Sequence, residues 1–368
     1  MVVAVAVAAV VALPNVVSAL PVPSTGMSPD QVITAARQSA SVAHQGLVEV
    51  DGRLGLPDLP LFTGAAPLLD TSTTLRTWWR SESNWRTDTL SNGGQEEEFP
   101  TAGGTLTWDF EDDRATFRPT EVGLRLPRAT DLLPPTVART MLGWVGSADT
   151  LVGLPAQRVA GVAAQGVSVV PSDATTSISH VDVWVDPVSG LPLRVDVVTR
   201  DGVQPAFSSR FLDLNLIAPS DDVLAPSLSP NVPRISSPRR DILAALSQSG
   251  TQRFPPTLAT LAPITTIAAA VDVATYGQGF ARVMVVRLPD RLLPRILDSV
   301  GASGQSSRVT GGSVATLPGP LLQVVLLVLD SGPGYLLSGT VTPRAMGDIV
   351  AAAAPALAAG ASESRPTP

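Results

Sequence analysis

Three groups of residues in this sequence have side chains that could bind a metal ion or transfer a proton, and the first combines a histidine with two carboxylates. His180, Asp182 and Asp186 alternate along a predicted strand, so their side chains share one face. Neighbouring side chains on one face of a strand are about 7 Å apart, which is wide for a shared metal ion or proton. We therefore interpret this set as part of a solvated outer face.

The other two groups are purely acidic. Asp109, Glu111, Asp112 and Asp113 are carboxylates of the kind that bind calcium, but they fall where a hairpin turn is predicted. The glutamate run 96–98 is interpreted in the same way, as a solvated turn. The sequence therefore predicts no metal site.

The composition excludes several classes of site and partner. Cysteine is absent and the only histidines are His44 and His180, so thiolate, disulfide, cysteine–zinc and histidine-rich metal sites are all excluded. The missing cysteine also removes the residue that lipid modification would need. All 25 basic residues are arginine, the formal net charge is −7 and no basic run occurs. This balance argues against a nucleic acid partner.

Two glycine-containing loops lack the spacing that a cofactor or a catalytic serine needs. Residues 276–279, Tyr-Gly-Gln-Gly, lack the third glycine of a dinucleotide loop and precede a predicted strand rather than a helix. Residues 301–304, Gly-Ala-Ser-Gly, place the second glycine one position too early for a nucleophile elbow. The sequence therefore predicts neither an enzyme nor a cofactor.

Aromatic residues are the strongest candidates for a binding site. Large rings on one face of a sheet can line a cavity for an acyl chain or an apolar peptide, or they can fill a β-rich core. Both interpretations stay open, because a filled barrel and a hollow one share the same alternation. The predicted cavity residues are Trp79, Trp108, Phe110, Trp144, Trp184 and Phe211.

Residues 180–200 form the clearest structural signal, a β-hairpin. Apolar residues alternate with polar ones before and after the segment 186–190, Asp-Pro-Val-Ser-Gly. Pro187 suits the start of a turn, and Gly190 should supply the positive φ that closes it.

Two registers are possible for this hairpin. A three-residue loop would set Asp182 opposite Arg194, whereas a four-residue loop would set Trp184 beside Leu193. We favour the first, because it keeps both apolar sets on one face of the sheet.

Similar patterns predict the other elements. In the first part of the chain we expect helices over 28–43 and 134–145, and strands over 75–80, 84–90, 95–99, 105–110, 114–118, 158–164, 166–170 and 207–217. In the last part we expect helices over 241–247 and 290–300, strands over 280–288, 321–329 and 335–341, and a final helix beginning at Pro343.

The proline- and serine-rich stretch 218–240 divides the chain, because this composition is typical of a linker. All six tryptophans precede it. We predict a signal peptide or N-terminal anchor over 1–27, a β-rich domain over 28–217, the linker, a smaller α+β domain over 241–360 and a disordered tail over 361–368.

The N-terminal segment indicates where the protein works. Residues 2–13 are all Val, Ala or Leu and are followed by Pro14, as in the core of a signal peptide. Ala19 offers a cleavage site, and an uncleaved membrane anchor is the alternative. No positive charge precedes the run, so we expect the true start to lie upstream. Either interpretation predicts an extracytoplasmic protein, which would contact the membrane through this segment if it is not cleaved.

The hairpin also carries a family resemblance. The run "VDVWVDPVSGLPLRVDV", with Arg158–Pro171 before it and Phe207–Pro219 after it, resembles the LolA/RseB group, to which MucB-type proteins also belong. Upstream, "LRTWWRSESNWRTDTL" and "GGTLTWDF" fit the same pattern. The resemblance covers roughly residues 28–230, and the module after the linker is loosely similar to the C-terminal domain of RseB-type regulators.

This resemblance implies both a fold and a choice of functions. The fold would be mainly β plus α+β: an incomplete antiparallel β-barrel, or half-barrel, packed on helices and enclosing an apolar cavity, with a second smaller α+β domain. The function would be that of a sensor that binds a membrane anti-sigma factor. The alternative is a carrier of lipid or of acylated protein. The second module favours the sensor, since a minimal carrier would need only the half-barrel.

Overall fold

The larger unit of the protein is an open sheet of twelve strands, seen in a computed structural model that describes residues 26–56, 66–91, 94–119, 127–226, 234–236, 254–264, 273–301 and 304–363. Eleven of the described strands are joined by antiparallel pairing, and the twelfth pairs in parallel at one edge, so the sheet does not close. The half-barrel predicted from the sequence is therefore confirmed as a mostly antiparallel, unclosed sheet.

The strands of this sheet are β1 His44–Gly52, β2 Ser72–Ser81, β3 Asn84–Ser91, β4 Gly94–Thr101, β5 Gly104–Asp109, β6 Arg114–Pro119, β7 Thr150–Val159, β8 Val162–Val170, β9 Ile178–Val185, β10 Pro192–Thr199, β11 Pro205–Asn215 and β12 Arg234–Ser236. Their order across the sheet is β12-β6-β5-β4-β3-β2-β1-β11-β10-β9-β8-β7, and β12 pairs in parallel with β6.

Most of the predicted strands lie close to these positions, but the strand predicted over 158–164 is wrong. A turn at Ala160 and Gly161, both with positive φ, divides it between β7 and β8, and residues 166–170 continue the same strand β8. In addition, β7 extends back to Thr150, and β12 lies in the segment predicted as a linker.

Two helices cover part of one side of the sheet. Helix α1, Pro29–Gln38, begins with the predicted capping box: Ser28 and Gln31 each accept a backbone N–H of the other. It ends earlier than predicted, in a 3-10 turn that leads into β1. Helix α3, Pro134–Leu142, packs on β10 and β11 and against α1. Of two single-turn helices, α2 at Ala66–Leu69 contacts β1 and β2, and α4 at Asp221–Leu224 contacts β3.

The second unit is a six-stranded antiparallel sheet between two helices. Its strands are β13 Val273–Gln278, β14 Ala281–Leu288, β15 Gln305–Val309, β16 Gly312–Pro318, β17 Gln323–Leu329 and β18 Gly334–Gly339, and its helices are α5 Leu293–Gly301 and α6 Pro343–Glu363. Alternate residues of β17 join separate cores: Val325 and Leu327 pack with α6, Val324 and Leu326 with α5. Burial on both faces explains the almost unbroken apolar run of β17.

The two units are docked through backbone pairing. Thr176, between β8 and β9, forms an isolated antiparallel bridge with Val341. The buried Thr176 hydroxyl lies 2.9 Å from the Thr340 carbonyl oxygen and 3.1 Å from that of Phe280. The Ser177 hydroxyl donates to the Leu321 carbonyl over 2.6 Å. These buried polar bonds fix the second unit against the β8–β9 connection of the first.

The central hairpin confirms the predicted turn but corrects the predicted register. Asp182 lies opposite Asp196, and Arg194 lies opposite Trp184, instead of Asp182 facing Arg194. The cause is an irregularity in pairing between Pro192 and Arg194, which inserts one residue into β10. Both apolar sets share one face, as predicted, but the predicted pairing of residues across the hairpin is wrong.

Gly190 closes the hairpin turn with φ +75°, the left-handed conformation that the sequence predicts. A Cβ at this position would also lie 3.0 Å from the Ala35 carbonyl oxygen of α1. We expect Gly190→Val to cost roughly 1–3 kcal/mol of unfolding free energy through backbone strain and crowding. Pro187→Ala, in the same turn, should cost less, and equal effects in denaturant titration would contradict the assigned turn.

Several predicted segments lie outside the described residues. They include the N-terminal run 2–13, the helix predicted over 241–247 and the last residues of the tail. The described parts of the linker contact the first sheet: the Arg80 guanidinium binds the Asp221 carboxylate, and β12 extends the sheet edge. Among the described helices, none is long and apolar enough to cross a membrane.

Candidate ligand-binding face

The large sheet has two faces with different chemistry. The inner face is the side on which α1 and α3 pack, and the outer face is the opposite side. Directly paired residues of neighbouring strands lie on the same face, so the strand registers assign each side chain. The candidate binding residues are therefore sorted by face.

The inner face is apolar where the helices cover it. Alternate valines of β8, β9 and β10 are completely buried against Val32, Ile33, Ala36, Val137 and Leu142 of α1 and α3. This packing fills the concave side over the second half of the sheet. The period-2 pattern of the hairpin provides the sheet side of this core.

A cluster of rings lies beside this core, and we call His44, Trp79, Trp85 and Phe211 the aromatic cluster. The rings of Trp79 and Trp85 stack with centroids 6.3 Å apart, and His44 stacks on Trp79 at 6.2 Å. Phe211 meets His44 edge-on at 5.6 Å. The Trp79 indole N–H donates to the Ala40 carbonyl over 3.2 Å. All four side chains are buried, so the cluster is a packed part of the core.

His44 is held neutral in this cluster. Its Nδ1 lies 2.9 Å from the Val42 carbonyl oxygen, and a carbonyl can only accept, so Nδ1 carries the proton. Burial lowers the pKa of His44 from 6.5 to about 4. Nε2 is then a buried acceptor, and it has no hydrogen-bond partner in the described part of the chain.

The inner face turns polar toward the free edge of the sheet. Thr77, Thr87, Glu98 and Thr107 lie directly opposite one another on β2, β3, β4 and β5, and we call these four residues the polar row. Their exposed fractions are 0%, 0%, 3% and 3%. The three hydroxyl oxygens and Glu98 Oε2 have no hydrogen-bond partner in the part of the chain that the structure describes. Several unpaired polar groups side by side are unusual in a folded interior.

Glu98 is the titratable member of the polar row. Desolvation raises its pKa from 4.5 to about 7, and the neighbouring Glu96 carboxylate acts in the same direction. Arg118 opposes this shift weakly, with Nη1 3.7 Å from Glu98 Oε1. The carboxyl group is therefore protonated in much of the protein near neutral pH.

The outer face over the same strands carries a buried charge network, in which Glu97 Oε2 has no hydrogen-bond partner in the described part of the chain. Arg86 contacts Asp88 Oδ1 at 2.7 Å and Glu97 Oε1 at 2.7 Å, and its guanidinium lies over the Trp78 ring. Burial raises the pKa of both carboxyl groups, against the lowering effect of Arg86. The glutamate run predicted as a solvated turn is thus corrected: it lies within β4, with Glu97 buried on one face and Glu98 on the other.

The six predicted cavity residues lie at four separate places. Trp79 and Phe211 come together on the inner face through His44. Trp108 and Phe110 contact each other at 5.5 Å, but Trp108 pairs with Glu97 on the outer face and Phe110 is 59% exposed in the following turn. For β5 it is the threonine face, not the predicted tryptophan face, that turns inward.

The other two residues of the set lie further away. Trp184 is on the outer face, where the Arg194 guanidinium lies 5.0 Å from its ring centre. Trp144 follows α3 and contacts the second unit, with Phe280 edge-on at 6.0 Å and the Arg282 guanidinium at 4.4 Å. Contact of any of the six residues with a ligand stays a prediction.

The remaining sequence candidates for chemistry lie at separate places, and among them Asp109 ends β5 on the inner face, directly opposite Glu96. His180 Nε2 lies 3.8 Å from Asp182 Oδ2 on the outer face of β9. Asp109 and Asp112 pair with Arg114 around the turn after β5, as the interpretation of a solvated turn expects. Within the described residues, no group of three His, Asp or Glu side chains is arranged to hold a metal ion.

The fold is thus that of a half-barrel: an unclosed, mostly antiparallel sheet with helices packed on one face, here with a second α+β unit docked beside it. Residues 150–225 match the sequence model of the MucB/RseB N-terminal domain. This segment runs from β7 to α4 and contains the hairpin from which the resemblance was inferred. The predicted resemblance to MucB/RseB-type proteins is therefore confirmed over these residues. No curated protein matches the chain.

Solved structures of the same group are similar to this chain. The complex of Pseudomonas aeruginosa MucA and MucB aligns with 19% identity over 88% of this chain and 97% of that chain, with a TM-score of 0.48. A structure of MucB alone aligns with 19% identity over 88% and 96%, with a TM-score of 0.45. A LolA-superfamily protein from Nitrosomonas europaea aligns with 11% identity over 55% and 99%, with a TM-score of 0.24.

Proposed function

We propose that this protein is an extracytoplasmic, non-enzymatic binding protein of the RseB type, an envelope sensor that binds a membrane anti-sigma factor. In this proposal the half-barrel binds an apolar or amphiphilic ligand and the whole protein regulates its partner. The observation that carries the proposal is the family match over 150–225, inside a chain with two docked units. The apolar run 2–13 supports export.

The second unit favours a regulator over a carrier. A carrier needs only a half-barrel that takes up and releases an acyl chain, and the second unit would be superfluous for that task. Here it is joined to the first unit by buried hydrogen bonds at Thr176 and Ser177. A rigid connection of this kind can transmit a change in the half-barrel to a partner bound elsewhere.

Absence of catalysis is part of the proposal. The buried carboxyl groups that are perturbed, Asp88, Glu97 and Glu98, lie in the sheet without a neighbouring histidine, and His44 is neutral with one ring nitrogen bound to a backbone carbonyl. The serine of the 301–304 segment has no nucleophile-elbow spacing. Binding rather than turnover is what these residues support.

The experiment measures partner binding and its coupling to ligand. The full chain is titrated with the synthesised extracytoplasmic segments of the anti-sigma factors encoded in its own genome, with and without a saturating fluorescent fatty-acyl probe. We expect one segment to bind saturably and its affinity to change when the probe is bound, by the same factor as the segment changes probe affinity. Scrambled segments are the control.

A different outcome would favour the second candidate. If no segment binds, but an acylated peptide is taken up by the chain and passed to an acceptor membrane, the protein is a carrier of lipid or acylated protein. If neither a segment nor an acyl probe binds, the proposal is wrong in both forms.

A further inference from the structure

We infer that the polar row on the inner face recognises the hydroxyl groups of an uncharged amphiphile, such as a monoacylglycerol. The inference deepens the proposed function and rests on it, because it names the class of ligand that the half-barrel takes. It is carried by the register of β2 to β5, which sets three threonines and one glutamate side by side in the interior.

The hydrogen-bonding capacity of the row fits a ligand with hydroxyl groups. Each threonine hydroxyl offers one donor and two acceptor positions, so it can either donate a hydrogen bond to another hydroxyl or accept one from it. Thr77, Thr87 and Thr107 use none of this capacity in the described part of the chain. The row is only one pair of residues away from His44, since Thr77 pairs with Gly46 on the same face of β1.

His44 adds a hydrogen-bond acceptor that cannot act as a donor. Its Nδ1–H donates to the Val42 carbonyl, so the unpaired Nε2 can only accept. A ligand hydroxyl can donate to Nε2, whereas an ester or methyl group cannot. This acceptor distinguishes a polyol head from a fully esterified one.

The charges around the row disfavour an anionic head. Glu98 and Glu96 share the inner face of β4, so a carboxylate or phosphate there would face two acidic groups. Arg118 Nη1 lies 3.7 Å from Glu98, and the Arg128 guanidinium donates to Thr105 over 2.5 Å, although Arg118 Nε has no hydrogen-bond partner in the described part of the chain. The Glu96 and Asp131 carboxylates also act on Glu98, so acidic groups balance the two cations and an uncharged head is the better match.

Apolar surface for the acyl chain lies directly beside the row. Trp79 is two residues after Thr77 and Trp85 is two residues before Thr87, so the two indoles flank the row on the same face. Leu75 continues the apolar surface on the other side of Thr77. These side chains are packed in this structure, so the proposal requires the inner face to open before a head and a chain can be bound side by side.

The row is closed in this structure. The 3-10 segment Ala129–Leu132 contacts β3, and the Ser209 hydroxyl donates to the Leu132 carbonyl over 2.6 Å. In this proposal a ligand reaches the row when this segment moves outward. Burial of the row without partners makes the closed state costly, and a hydroxylated ligand would remove that cost.

The test compares two amphiphiles that differ in their hydroxyl groups. Binding of 1-monooleoylglycerol and of methyl oleate to the full chain is measured by tryptophan fluorescence and by displacement of a fatty-acyl probe. We expect monooleoylglycerol to bind at least about tenfold more tightly than methyl oleate, the factor that one additional hydrogen bond supplies.

Valine variants identify the residues that make the difference. Thr87→Val keeps the shape of the side chain and removes the hydroxyl, and it should weaken monooleoylglycerol binding about tenfold while leaving methyl oleate unchanged. The empty variant should be as stable as the parent or more stable, because a buried unpaired hydroxyl has been removed. Thr74→Val, on the outer face of β2, is the matched control and should change neither affinity.

Different results of these binding measurements would overturn hydroxyl recognition by the polar row alone, or the proposed apolar ligand as well. Equal binding of both amphiphiles, or unchanged monooleoylglycerol affinity in Thr87→Val, would overturn the inference. A fatty-acyl probe that binds while monooleoylglycerol does not would also overturn it and leave the proposed apolar ligand standing. If neither the amphiphiles nor the probe bind, the inference and the proposed ligand fall together.

Discussion

Replacing Trp79 with alanine should destabilise the protein by about 3–5 kcal/mol, the largest effect that we expect from a single side chain. Trp79 is 7% exposed and stacks between His44 and Trp85. The variant loses both ring contacts and the hydrogen bond to the Ala40 carbonyl, and it leaves a cavity next to the 3-10 turn Ser39–Ser41. The measurement is the free energy of unfolding from denaturant titration, followed by tryptophan fluorescence and circular dichroism.

Trp108→Ala is the matched control for this prediction. Trp108 is half-buried on the outer face, where no helix packs against it in the described structure, so its loss should cost about 1 kcal/mol. A loss of 3 kcal/mol or more for Trp108→Ala, or a mild effect for Trp79→Ala, would mean that the inner and outer faces are assigned the wrong way round.

The second large effect is a pH dependence that arises from Glu98. Its pKa is raised from 4.5 to about 7, so between these pH values the folded protein holds a proton that the unfolded chain releases. Stability from this group is fully present below pH 4.5 and is lost as the pH rises through about 7. The loss amounts to about 3 kcal/mol, because one pKa unit corresponds to about 1.4 kcal/mol.

His44 acts in the opposite direction over part of the same range. Its pKa is lowered from 6.5 to about 4, so the unfolded chain binds a proton there that the folded protein does not. Stability from His44 therefore rises as the pH increases from about 4 to 6.5. In the parent protein the effects of Glu98 and His44 on stability partly cancel. A plot of unfolding free energy against pH for the parent alone therefore reveals neither contribution.

Glu98→Gln separates the two contributions. We expect the difference in unfolding free energy between the parent and the variant to fall by about 3 kcal/mol from pH 4.5 to 7.5. The variant alone should gain stability over the range in which His44 loses its proton in the unfolded chain. Glu111→Gln, at an exposed carboxylate in the turn after β5, is the control and should track the parent. A parallel pH profile for parent and Glu98→Gln would mean that Glu98 is ionised throughout and that the row is solvated.

The sequence predicted those parts of the fold that depend on local signals. The capping box at Ser28, the strand alternation and the positive φ of Gly190 each depend on a few neighbouring residues, and the structure confirms them. The register of the hairpin was wrong because one inserted residue near Leu193 leaves no mark in an alternating pattern. The parallel pairing of β12 with β6 is a contact over more than 110 residues, which no local signal encodes.

The inner face of β5 could not be predicted for a related reason. Alternation sorts Thr105 and Thr107 from Leu106 and Trp108, but only the neighbours of the strand decide which set turns inward. Apolarity pointed to the tryptophan set, and the structure buries the threonines. The polar row was missed because each threonine alone is an ordinary strand residue. A buried glutamate between threonine-bearing strands becomes visible only when three strand registers are known.

We propose that this chain is an extracytoplasmic binding protein whose half-barrel holds an amphiphile and whose second unit serves a membrane partner. The decisive measurement is mass spectrometry of the intact complexes that co-purify with the protein, isolated from the cell envelope of its own source without detergent exchange. We predict envelope-localised protein whose mass includes one acyl-bearing molecule per chain, and a fraction associated with an anti-sigma factor. Protein that is found in the cytoplasm, or that leaves the envelope with its bare chain mass and no partner, would contradict this proposal.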